Sequence, residues 1–288
     1  MTETFIPTRI VVTAHPRLPD GLKVAGAISE YLKGKGIDAP HGSLNDEDLR
    51  KQVKQGKFDL LVTVGGDGTM LRAAQLCAPC EVPILGINHG RLGFLFQIES
   101  ENWQGMIDTL LSGEGWIENR MMLRAEHLRS GEIISKWYAL NDAVVSRGQF
   151  VRPVHLSASV DGLKLATYVA DGLIASTPTG STAYALAAGG PILPPELRNI
   201  LLIPIAPHLS VDRAVVLSEG SWVRISVLSE NTVMSVDGQT PIGLAEDDHV
   251  DIRAGEYTAK FVRFGDAGYF YRNLTTYMEQ NPLIGNSR

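Results

Sequence analysis

Continuous apolar runs alternate with amphipathic stretches along the first part of the chain. Residues 9–14, 60–64 and 83–88 are runs of aliphatic and β-branched residues, the texture of strands covered on both faces. Between them, residues 20–32 and 45–55 carry apolar side chains at helical spacing. Trp103, Met106, Ile107, Leu110 and Leu111 form a further stripe that stops at Gly113. This alternation predicts an α/β N-terminal domain with a mainly parallel sheet over residues 1–117. From residue 118 the texture changes to short β-branched runs separated by turn residues. Residues 156–160 and 164–169 are joined through Asp161-Gly162, a hairpin signal, and 223–228, 233–236, 249–253 and 258–264 are further strands. A helical interruption at 181–188 precedes Gly189-Gly190-Pro191. Residues 118–264 are therefore expected to form a β-rich C-terminal domain of largely antiparallel strands. Residues 265–288 form a closing segment, helical over 268–278, that packs back on the N-terminal domain. The whole is a two-domain α+β protein without an internal repeat of fixed period.

Composition adds exclusions. A chain of 288 residues can bury the cores of two domains, and no biased tract suggests disorder. The charge balance is −6 and no stretch concentrates Lys and Arg, which argues against nucleic-acid or anionic-membrane binding. Apolar runs such as 200–206, interrupted by Pro204, fall far short of the ~20 residues of a membrane span. The N-terminus opens Met1-Thr2-Glu3-Thr4 and soon enters a strand pattern instead of an apolar leader, so a cytoplasmic location is expected. Cys77 and Cys80 have the spacing of a redox or metal pair, but the histidines are scattered, and the two read as small residues ending a helix.

The candidate chemistry begins where the strand 60–64 runs into Gly65-Gly66-Asp67-Gly68-Thr69, ahead of a helix expected to start near Met70. Such a turn lets backbone N–H groups approach a phosphate at a helix N-terminus. It is neither of the common phosphate-loop fingerprints. Asp67 is its unusual member. A carboxylate there repels phosphate unless a cation or a hydroxyl proton needs it, or unless Gly-Asp-Gly is only a tight turn. A second loop, Ser176-Thr177-Pro178-Thr179-Gly180-Ser181-Thr182, follows Asp171 and a strand. Its hydroxyls suit a polar ligand, or one of them caps a helix. Asn141-Asp142, set between apolar runs, calls for a ligand or a turn, and Asp237-Gly238-Gln239 is at least a hairpin turn.

Together these segments resemble the NAD kinase family, whose pattern runs Gly-Gly-Asp-Gly-Thr, Asn-Glu, Thr-Pro-Thr-Gly-Ser-Thr-Ala-Tyr, Gly-Gly-Pro and Asp-Gly-Gln. Also similar are Gly86-Ile87-Asn88, Gly90-Arg91-Leu92-Gly93-Phe94 and Phe270-Tyr271-Arg272-Asn273-Leu274. The resemblance runs from residue 60 to the C-terminus. It implies phosphoryl transfer from ATP to the 2′-hydroxyl of the adenosine ribose of NAD, giving NADP, with a divalent cation, most simply Mg²⁺ carried with ATP. It implies that Asp67 is the base and that Gly65, Gly66, Gly68 and Thr69 form the phosphate loop. The NAD site would then comprise Asp67, Gly68, Arg72, Asn141, Asp142, Arg152, Asp171, Thr182, Ala183, Tyr184, Ala185, Leu186, Ala187 and Gln239. It also implies a homodimer or homotetramer with shared sites. Two departures stand out. Asp142 replaces the family's usual Glu, one methylene shorter, and Val169 and Arg152 stand where some members carry Arg and His. Rival readings are a lipid kinase, which shares Gly-Gly-Asp-Gly-Thr but should show a basic amphipathic segment, and a nucleotide-binding regulator that has lost turnover.

Overall fold

The computed structural model describes residues 5–90, 93–208, 212–266 and 268–279, with the last helix's side chains described as far as residue 275. Met1 to Thr4, the Arg91-Leu92 pair and the end of the closing segment lie outside them. The chain divides into two compact units, Met1–Asn119 with Ala259–Arg288, and Arg120–Thr258.

In the first unit β1 (Ile10–Ala14), α1 (Pro19–Gly34), β2 (His41–Ser43), α2 (Glu47–Lys54), β3 (Leu60–Gly65), α3 (Asp67–Cys77) and β4 (Ile84–Asn88) alternate in sequence. The strands lie parallel in the order β2-β1-β3-β4. All residues of β1, β3 and β4 are buried, which is why their sequences are continuous and not alternating. Side chains such as Ile10, Val12, Leu60, Val62, Leu85 and Ile87 pack with Ala25, Ile28 and Leu32 of α1. Each such burial contributes roughly 1.5–3 kcal/mol. The short β5 (Ile98–Glu99) and α4 (Trp103–Leu111) complete this part.

The second unit holds most of β6 (Trp116–Arg129), then β7 (Glu132–Ala139), β8 (Asp142–Arg147), β9 (Val154–Val160), β10 (Leu163–Ala170), β11 (Gly172–Ser176), α5 (Tyr184–Ala187), β12 (Asn199–Ile205), β13 (Val215–Ser218), β14 (Val223–Val227), β15 (Thr232–Val236), β16 (Ile242–Leu244) and the first part of β17 (His249–Arg263). The order β13-β12-β11-β8-β15-β16 makes one antiparallel sheet, and β10-β9-β14-β17 is antiparallel as well. Val145, Leu173, Ala175 and Leu202 join Leu156, Ala158, Ile225 and Ile252 in a shared core. The residues between them, Val144, Ile174, Leu201 and Ile203, pack on Ala185 of α5. The β9–β10 turn is Asp161-Gly162, both at positive φ, as the hairpin signal requires.

Three elements differ from the pattern-based expectation. The strands expected at 249–253 and 258–264 are one strand, β17, because residues 254–257 continue the extended chain. That strand begins in the second unit and ends in the first, the compact units dividing it after Thr258. The helix expected at 181–188 is a 3-10 turn, Thr179–Thr182, followed by a helix of only four residues, since the loop's hydroxyls bond the main chain in place of helical carbonyls. Finally, α3 starts at Asp67, not near Met70. Thr69 N–H and Met70 N–H already bond Gly66 O at 2.7 and 3.3 Å.

The closing helix α6 (Tyr269–Glu279) belongs to the first unit. Tyr269 OH bonds Glu118 at 2.6 Å, Arg263 Nε pairs with the same carboxylate at 2.8 Å, and Asn273 Nδ2 bonds Phe96 O at 3.1 Å. Phe261, near the end of β17, lies beside Ile84 of β4.

Candidate active site

In the first unit the site grows from the end of β3. Gly65 is buried against α3, and a Cβ there would stand 2.3 Å from Thr69 Oγ1. Gly66 is the N-cap of α3, so Asp67 occupies its first turn, where the positive end of the helix favours a carboxylate. The Asp67 carboxylate accepts hydrogen bonds from Phe94 N–H at 3.2 Å and Leu95 N–H at 3.3 Å. It rests on Gly93, where a Cβ would come within 2.2 Å of Oδ1. The segment supplying those amides is itself anchored. Arg263 Nη1 donates to Leu95 O at 2.9 Å, Asn273 to Phe96 O, and Gln97 exchanges bonds with Phe264. Asp67 is thus not merely a turn former bonding its own backbone.

Gly66 and Gly68 behave differently from Gly65 and Gly93. A Cβ at either would meet open space, and neither has positive φ. A glycine inside a helix costs about 1 kcal/mol against Ala. Packing does not require one at 68, so the bare backbone there suits close approach by a ligand. Arg72 is exposed on the same helix.

In the second unit the site forms where β8 begins and β11 ends, with Asp142 opposite Ser176. Asn141 lies between β7 and β8, outside either strand. The loop after β11 is bound to it. Thr177 Oγ1 donates to Leu140 O at 2.5 Å, Ser176 Oγ to Asn141 O at 3.1 Å, and Thr177 N–H to the same carbonyl at 2.8 Å. A Cβ at Gly180 would come within 2.2 Å of Asn141 O. Ser181 Oγ donates to Pro178 O, Thr182 Oγ1 to Thr179 O, and Arg120 reaches Thr179 Oγ1. The hydroxyls of Ser176 and Thr177 therefore fasten the loop to the residues before Asp142, and those of Ser181 and Thr182 bond carbonyls within the loop.

That corner is also held from the β15–β16 turn. Asp237, at φ +49°, accepts the N–H groups of Leu140, Asn141 and Asp142 at 2.9, 2.8 and 3.2 Å. Asp237-Gly238 is thus a hairpin turn and an anchor at once. Asp142 is 5% exposed, and burial, with the nearby charge of Asp237 adding to it, pushes its carboxyl up to about 7. Gln239 and Tyr184 are exposed, whereas Ala185 is a core residue whose side chain faces the sheet.

Two sequence-predicted residues lie elsewhere. Asp171 precedes β11 and pairs with Arg147 at 3.0 Å. Along β11 it is five residues from Ser176, on the order of 17 Å at strand rise. Arg152 is exposed in a cavity of about 660 Å³ lined also by Phe150, His155 and Asn231. Asn141 and Asp142 thus share one corner with the Thr177 loop, while Asp171 stands at the other end of the same strand pair. Sequence reasoning missed Gly93, Arg263 and Asn273 as the frame of Asp67. Gly93 and Asn273 stand in motifs already noted, but their purpose needs contacts made across the unit.

Residues 27–115 match the ATP-NAD kinase N-terminal domain, and residues 140–264 match the ATP-NAD kinase C-terminal domain. An NAD kinase of Heliobacterium modesticaldum is 41% identical over 274 residues, 91% of this chain and 95% of that protein. A yeast NADH kinase complexed with NADH aligns with TM-score 0.84 at 25% identity, covering 96% of this chain and 89% of that one. An NAD kinase from Archaeoglobus fulgidus in complex with ATP aligns with TM-score 0.76 at 28% identity, covering 94% and 98%.

Proposed function

Since the chain belongs to the NAD kinase family, we propose that it transfers the γ-phosphoryl of ATP to the 2′-hydroxyl of the adenosine ribose of NAD, giving NADP and ADP. The observation that carries this reading is Asp67, a half-buried carboxylate in the first turn of α3, fixed by the amides of Phe94 and Leu95. As the ribose oxygen bonds to the γ-phosphorus, its proton passes to Asp67 and the bond to the β-phosphate bridge breaks. Such transfer depends mostly on positioning and charge neutralisation. Gly65, Gly66, Gly68 and Thr69 form the loop beside the phosphates, and the space at Gly66 and Gly68 supports it.

The NAD site in this reading comprises Asp67, Gly68, Arg72, Asn141, Asp142, Gln239 and the 182–187 segment, with Ala185 acting through its backbone. Mg²⁺ enters as part of the ATP complex. Among the described residues no group of three or more His, Cys, Asp or Glu could hold a resident ion. Asp171 and Arg152 act in a site shared with a second copy of the chain, in a homodimer or homotetramer, which their separation from Asp142 supports. The cellular setting is the cytoplasm, and among the described residues no helix is long and apolar enough to cross a membrane.

Purified protein incubated with ATP, Mg²⁺ and NAD should yield NADP, detected with an NADP-specific dehydrogenase, and a lipid acceptor should not replace NAD. Absence of NADP above background would sink the reading.

A further inference from the structure

The parallel register brings further groups to the glycine turn. Ala14 pairs with Val64 and Gly65 with Asn88, so the chain leaves β1 at His15 and β4 at His89, one on each side of the turn after β3. Main-chain bonds fix both: His15 N–H to Val64 O at 3.1 Å and His89 N–H to Gly65 O at 3.0 Å. Arg17 N–H donates to His15 Nδ1 at 3.1 Å, which leaves the ring proton on Nε2 as a donor. Partial burial, then the charges of Arg72 and Arg17, lower the His15 pKa, so the ring is a neutral N–H donor at pH 7.

Arg17 and Arg72 are exposed, and among the described residues neither has a carboxylate within ion-pair distance. Asp20 is the carboxylate whose charge reaches His89, and it is bonded to Lys23 at 2.9 Å. In a chain of net charge −6 this is a local concentration of positive charge. It lies outside the carboxyl ends of parallel strands, where open α/β sheets bind ligands. Two unpaired guanidinium groups and a neutral imidazole donor suit several phosphate oxygens at once, because guanidinium bonds to phosphate are charge-assisted and forked.

We propose that His15 and Arg17, with Arg72 alongside, clamp the triphosphate of the phosphoryl donor. This rests on the phosphotransfer reading above and deepens it, for neither residue belongs to the segments that carry the resemblance. The donor fits better than the acceptor. Most residues assigned to NAD lie between 141 and 239; of this cluster only Arg72 is among them, and His15 and Arg17 flank the glycine turn, the loop placed beside the phosphates.

The test is calorimetric titration of the full chain with Mg-ATP, tripolyphosphate and NAD, for the wild type, Arg17→Ala and His15→Ala. Each variant should weaken ATP and tripolyphosphate about tenfold, as expected for loss of a bond to a charged group, and leave NAD affinity within about twofold. The KM for ATP should rise while the KM for NAD holds. Three results would overturn the clamp: unchanged ATP and tripolyphosphate affinity, a loss confined to NAD, or a wild type that binds neither phosphate ligand. A wild type that binds ATP, weakens in both variants and yet makes no NADP would defeat the kinase reading and leave the clamp standing. Arg17 is exposed, so Arg17→Ala carries the test should His15→Ala fail to fold.

Discussion

Asp67 in the first unit and Asp142 in the second both stand at a strand end, yet their surroundings differ in kind. Asp67 opens a helix, stays half-buried, and receives two amide N–H bonds on its carboxylate. Asp142 opens a strand, is almost fully buried, and lies near a second carboxylate that takes the corner's three amides for itself. A parallel α/β layer ends in helix N-termini and free loop amides, which can hold a charge at the surface. The antiparallel sheets of the β-rich unit pair most of their amides within the ladder, so a carboxylate near their core drifts toward its protonated form. The first unit thus holds its carboxylate with amide donors, and the second holds its own away from water.

Substitutions can break this comparison, beginning with the largest effect. Asp67→Asn should lower kcat by ~10²–10⁴ with an unfolding midpoint close to wild type, the usual range for losing a general base. Near wild-type turnover in steady-state assays would remove Asp67 from that role. Mixing Asp67→Asn chains with Asp171→Ala chains, after subunit exchange, should restore turnover that neither has alone. No recovery would mean that Asp171 does not act in a neighbour's site.

For Asp142 the folded pKa of about 7 lies above the ordinary 3.8, so the folded state holds the extra proton between those values. Its contribution to stability is therefore unpenalised below about pH 4, falls as pH rises, and reaches its full penalty above about pH 7. Asp142→Asn should remove this dependence and gain stability over wild type between pH 5 and 8, by on the order of a few kcal/mol. Urea unfolding at the two pH values checks it, and parallel pH slopes would refute the assignment. Gly180→Ala should cost about 1–3 kcal/mol, because its Cβ meets a backbone carbonyl that cannot move aside. Gly68→Ala should do the reverse, raising stability by up to about 1 kcal/mol while weakening ATP or NAD binding. A destabilised Gly68→Ala protein with full affinity would show that the fold, not a ligand, demands that glycine.

Much of the fold was legible because burial on both faces leaves an unbroken apolar run, as in β1, β3 and β4. Joining 249–253 to 258–264 was not, since Ala254-Gly255-Glu256-Tyr257 looks like a turn until its partners are known. The contacts of the second loop were not legible either. A hydroxyl reads the same in sequence whether it meets a ligand or a carbonyl, and Ser176 and Thr177 meet carbonyls of Asn141 and Leu140 while Ser181 meets one within its own loop.

By itself the sequence determined the two textures, the glycine turn with its aspartate, and the family, since these depend on residue order and local spacing. Only the tertiary structure decided what faces each carboxylate. Gly93 and the amides of Phe94 and Leu95 reach Asp67 from 26 to 28 residues away, Asp237 reaches the Asn141-Asp142 corner across 95 or more, and His15 meets the turn through strand register. Hydrogen bonds and electrostatic shifts act over a few ångströms of space, and neighbourhood at that range is set by folding, not by position along the chain.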